Sequence, residues 1–148
     1  MVVSCTAPKP RPTPQKIVSS VSVDSIIASV DVVTSPIIDS LNLSNFVQLM
    51  QSLNDIPFEQ RQVTLKSIKQ EAKTVFNQTW PKQLDTNPIR SRYVVFLTDV
   101  HVASEKRLGQ NAEEKQAEAI VKMKKSWNIF IGQISPIESS AVLEMAPR

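Results

Sequence analysis

Only two glycines, Gly109 and Gly132, occur in this chain of 148 residues. Sheets joined by tight turns draw on glycine for left-handed backbone, so a chain this poor in it is expected to be all-α. Proline is used differently. Of the 10 prolines, Pro8, Pro10, Pro12, Pro14 and Pro36 fall within the first 36 residues. The stretch "TAPKPRPTPQK" over 6–16 has fixed φ angles and lacks several amide donors, so it reads as an extended, polyproline-like spacer. With 41% apolar residues the remainder can build one hydrophobic core.

Apolar periodicity divides that remainder. Residues 17–34 mix a helical period (Val23, Ile26, Ile27, Val30, Val33) with alternation at Val18 and Val21 to Val23, and read as partly ordered chain packing along the body. Ser35-Pro36 has the chemistry of a helix start, and Leu43, Phe46, Val47, Met50 and Leu53 form a stripe, so a first helix is expected over about 36–54. A second is expected from Asp55 as cap and Pro57 in the first turn, through Leu65, Ile68, Ala72, Val75, Phe76 and Trp80, stopped by Pro81. The third starts at "DTNP" and carries Ile89, Tyr93, Phe96, Leu97, Val100 and Ala103 on one face, with Gly109 as its end. Its centre, "RYVVFLTDVHV", also alternates at Val94, Phe96, Val100 and Val102, which is the pattern of a strand. The lack of turn chemistry on either side favours helix. The fourth is expected to be capped near Asn111, acidic at Glu113 and Glu114, and striped through Ala117, Ile120, Met123, Trp127, Phe130 and Ile134 until Ser135-Pro136 closes it.

Four such helices with short connections predict an up-down four-helix bundle over 35–136, preceded by a proline-rich, partly ordered tether over 1–34 and followed by a tail over 137–148. The notable chemistry is what the chain lacks. One histidine, His101, and one cysteine, Cys5, leave no material for a thiolate zinc cage, an intrachain disulfide or a histidine-rich metal site. His101 has no nucleophile or second titrating group singled out beside it and reads as a helix-surface residue. No glycine-rich phosphate loop is present, and no apolar run approaches the ~18–20 residues that cross a bilayer. The chain is expected to be non-catalytic, without cofactor or metal. The net charge of +3 is mild. Lys66, Lys69 and Lys73 step along the second helix, and Lys115, Lys122, Lys124 and Lys125 populate the fourth, as basic faces opposite the apolar stripes. Such faces suit an acidic protein surface or anionic lipid heads. Without interleaved aromatics they make a poor single-strand platform, so nucleic acid is not the expected partner. Trp80 and Trp127 sit at core spacing.

Val2-Val3-Ser4-Cys5 resembles the end of a bacterial lipobox, with an apolar residue three before the cysteine and a small residue directly before it. The motif follows Met1 directly, so the basic and apolar regions of a signal peptide would have to be encoded upstream. On this reading Cys5 is the lipid-attachment residue, and the proline-rich spacer holds the body clear of a membrane.

The body in turn resembles the PsbQ family, the extrinsic lumenal subunit of photosystem II, and above all its cyanobacterial lipoprotein form. The similarity spans roughly 36–136. It rests on "VTSPII" and "LMQSLND" at the two ends of helix one, "LKSIKQ" in helix two, the Trp80-Pro81-Lys82 step, the Val95-Phe96 pair, "VASEKR", and Trp127, Phe130, Ile131 and Ile134 at the end of helix four. It departs where the family's second helix commonly opens with tryptophan and carries a Gly-Pro-Leu step, since Phe58 and "QVTLK" stand there. The resemblance implies a subunit on the lumenal side of the thylakoid membrane. It would contact the photosystem II core and other extrinsic subunits, stabilise the oxygen-evolving complex, and help retain its ions, calcium among them. Cys5 would be its anchor to the thylakoid membrane surface. Lys66, Lys69, Lys73, Lys122 and Lys125 are then the candidate docking residues. Two other readings share the helical body: a lipoprotein or adaptor of a bacterial envelope assembly, and a basic helical nucleic-acid binder.

Overall fold

The computed structural model describes residues 23–36 and 41–145, with the side chains of Asp24, Phe46 and 137–145 outside that description. Cys5 and the proline-rich spacer also lie outside the described residues. Five α-helices follow in order: α1 (Val23–Ala28), α2 (Ser44–Ser52), α3 (Phe58–Asn77), α4 (Asn87–Ser104) and α5 (Ala112–Met145). No strand occurs among the described residues, and the protein is all-α there. Neighbours along the chain pack on one another, α2 on α3, α3 on α4 and α4 on α5, while α1 packs chiefly on α5. No described helix is long and apolar enough to cross a membrane.

The strand-like centre of α4 is helical, and its burial pattern shows why. Tyr93, Phe96, Val100 and Ala103 are buried, whereas Val94, Val95 and Val102 are exposed, which is a 3.6-residue period and not alternation. The buried aromatics of α4 and α5 meet as a cluster. Tyr93 sits edge-on to Trp80 and to Phe130, each with ring centroids 5.2 Å apart, and Phe96 lies 5.3 Å from Trp127. Such tilted pairs add about 0.5–1.5 kcal/mol each to the apolar burial. The Tyr93 hydroxyl donates to the Ala72 carbonyl at 2.6 Å, tying α4 to α3. Burial raises the Tyr93 pKa well above the usual phenol range, and the nearby Arg90 charge only partly opposes this.

The helix ends differ from expectation at several points, each with a local cause. The first helix does not run from 36. Asn42 takes φ 57°, a left-handed conformation that no helix can pass through, and α2 begins two residues later at Ser44. Residues 37–40 lie outside the described part. Asp55 does not cap α3. The N-cap is Pro57, whose carbonyl accepts from the Gln60 amide at 2.9 Å, while the Asp55 amide closes a turn onto Ser52. α3 stops at Asn77, so Trp80 stands beyond the helix and folds back, its indole N–H donating to the otherwise helix-terminal Val75 carbonyl at 2.7 Å. α4 has Pro88 in its first turn, as expected, and ends at Ser104, ahead of Gly109. Gly109, at φ 92°, instead turns the chain into α5, which starts directly after Asn111. Pro136 does not close α5. It removes one amide donor from a helix of 34 residues, and the helix runs on to Met145.

Candidate docking surface and the buried polar groups

The lysines divide into those left in water and one that is not. Lys66 and Lys73 are exposed on α3, two turns apart on one face, with half-buried Lys69 between them. Among the described residues none of the three has an ion-pair partner, and neither has Lys125, which is exposed on α5. Lys122 is also exposed, with its Nζ 3.7 Å from the carboxylate of Asp99. The five candidate residues therefore form two clusters, one on α3 and one on α5. Both helices pack on α4 but have little direct contact with each other, so the clusters are not brought into one site.

Lys124 is a correction to the basic face expected on the fourth helix. It is completely buried, and its ammonium donates to the Ile27 carbonyl at 2.9 Å and to the Asn54 side-chain oxygen. Burial pushes its pKa down to about 8; Asp31 pulls it upward, and the charge of Arg61 lowers it further. The helical period contained this signal, because Lys124 lies four residues after Ile120 and three before Trp127, on the buried stripe. Arg61 is likewise buried, at the start of the α3 stripe that continues through Leu65, Ile68, Ala72 and Val75. Asp99 is buried between α4 and α5, where it accepts from the Ser126 hydroxyl.

His101 is exposed in the last turn of α4. No group of three or more histidine, cysteine or acidic residues that could hold a metal occurs among the described residues. Trp80 and Trp127 are both buried, as their spacing predicts. Among the described residues, two open grooves are of note. One, of about 490 Å³ beside the turn between α4 and α5, brings Arg107, Lys115 and Lys122 together with Glu105 and Glu118 around Leu108, whose side chain is 80% exposed. The other, of about 480 Å³, lies between α3 and α4 against Phe76, Arg90 and Val94. Its arginine is already committed: the guanidinium stacks 3.9 Å from the Trp80 ring, donates to the Phe76 carbonyl at 2.9 Å, and pairs with Asp85 at 2.8 Å. Neither groove presents a nucleophile beside a base.

No known protein family, no curated protein and no solved structure matches this chain.

Proposed function

We propose that this protein is a non-catalytic extrinsic subunit of photosystem II, of the PsbQ kind, docked on the lumenal side of the thylakoid membrane through its outward lysines. α2 to α5 would form the up-down four-helix bundle of such a subunit. The packing of each helix on its chain neighbour is in keeping with that topology. The observation that carries the reading is the division of the lysines. Those facing water on α3 have no ion-pair partner among the described residues and are available to an acidic surface, while the core is built mainly from aromatic and aliphatic side chains. A docking subunit needs a rigid body with a charged outside and no reactive inside. Cys5, acylated, would hold the chain at the membrane, and the ions of the oxygen-evolving complex would be retained by the docked body as a cover, with no ligand contributed by the chain itself.

The test is native electrophoresis of detergent-solubilised cyanobacterial thylakoids to which the purified full-length chain has been added. Co-migration with photosystem II, lost at raised salt, is the expected result. Migration of the chain apart from every photosystem II band at low salt would refute the reading. Association with other envelope assemblies in that experiment would favour the adaptor reading.

A further inference from the structure

We infer that α5 carries a peptide-binding groove built by Lys124, Trp127 and Asn128, whose ligand is the end of a short helix running into an extended main chain, with two aliphatic anchors, occupied in this protein by its own residues 27–33. The inference goes beyond the docking reading and does not depend on it. Four contacts define the groove, and all of them reach the backbone of the bound segment. Lys124 Nζ donates to the Ile27 carbonyl at 2.9 Å, and Trp127 Nε1 donates to the Val33 carbonyl at 2.7 Å. The Asn128 side chain does both jobs of an amide, accepting from the Val33 N–H at 2.8 Å and donating to the Asp31 carbonyl at 2.9 Å.

The three groove residues lie at i, i+3 and i+4, so Trp127 and Asn128 sit side by side one turn beyond Lys124 on the same side of the helix. The segment they hold has no regular structure over 31–35 and presents Asp31 and Val33, two residues apart, to the same amide. Within 27–33 the two buried side chains are the anchors. Ile27 is completely buried and Val32 is 9% exposed, while their neighbours Ile26 and Val33 are 42% and 47% exposed. Main-chain hydrogen bonds beside a few side-chain pockets are how a folded surface reads a peptide backbone. The segment is also attached as a ligand would be. α1 packs chiefly on α5, about 95 residues away in sequence, so these contacts tie it to a distant surface and not to its chain neighbours.

Two measurements test this. In native-state hydrogen exchange on the full chain, the Val33 amide should exchange at least tenfold faster than the Phe96 amide. Asn128→Ala should accelerate Val33 by a further factor of about ten and leave Phe96 unchanged. In the second, the full chain carrying Ile27→Ser and Val32→Ser is titrated with a fluorescent synthetic peptide of residues 23–35. Saturable binding, weakened about tenfold when Asn128→Ala is added, is the expected result. Exchange of Val33 and Phe96 at one common rate would overturn the inference, because the segment would then be an inseparable part of the core. Failure of the peptide to bind a variant that keeps its helical circular dichroism would do the same. Should that variant not fold, the exchange experiment on the wild-type chain decides.

Discussion

Two buried polar side chains define what single residues contribute. Tyr93 joins α3 to α4 through its bond to the Ala72 carbonyl while its ring packs among Trp80 and Phe130. Tyr93→Phe keeps the packing and removes the bond, with an expected loss of about 1–2 kcal/mol in chemical denaturation. A larger loss would mean that the hydroxyl organises more of the interface than one carbonyl. Lys124 gives a pH signature. Its pKa is about 8 in the folded chain against an ordinary 10.5 when unfolded, so between those values the unfolded state binds more protons. Stability is therefore expected to rise as pH goes from 8 towards 10, by up to about 3 kcal/mol if the full shift is realised. Below pH 8 this group is charged in both states and contributes no slope. Above pH 10 the phenol of unfolded Tyr93 ionises first, and stability falls again. Lys124→Met should abolish the rise between pH 8 and 10, as read by denaturation midpoints across that range.

At the scale of the elements, what the sequence made legible was the buried face of each long helix. The α3, α4 and α5 stripes name Leu65, Ile68, Ala72, Val75, Ile89, Tyr93, Phe96, Val100, Ile120, Met123, Trp127 and Phe130, which are buried, and Phe76 and Leu97, which are half-buried. Periodicity succeeds there because a helix must turn one face inward. Helix ends were less legible, because they depend on single backbone conformations that composition does not specify. Asn42 is the clearest case: its left-handed φ of 57° starts α2 late, and no apolar pattern reports it. Asn42→Ala should destabilise the protein by about 1 kcal/mol, and Asn42→Gly should be neutral or mildly stabilising, by thermal unfolding. Equal effects of the two substitutions would remove the conformational explanation. Pro136 shows the converse, a breaker overruled by the long helix around it. The candidate site was half legible. Charge spacing located Lys66, Lys69, Lys73, Lys122 and Lys125, but the same spacing placed Lys124 outside, since a lysine on an apolar stripe becomes a buried donor only when a distant carbonyl, here Ile27, comes to meet it.

In the whole molecule, the polar interior groups of the helical body are largely spent on holding its own segments together. Lys124 and Asn128 hold the segment that leads from the N-terminal part of the chain, Tyr93 holds α3 to α4, and Arg90 closes the turn after α3. The docking proposed for the outside rests on its charge. Exposed lysines that are solvated in the free chain gain most from an acidic partner at low ionic strength, and that gain is screened by salt. The most direct measurement is the binding isotherm of the full-length chain on purified photosystem II particles, compared with a variant carrying Lys66→Glu, Lys69→Glu and Lys73→Glu. Docking through these lysines predicts saturable binding by the wild-type chain and at least a tenfold loss in the variant at unchanged helicity. Equal binding by the two, or no binding by either, would contradict it.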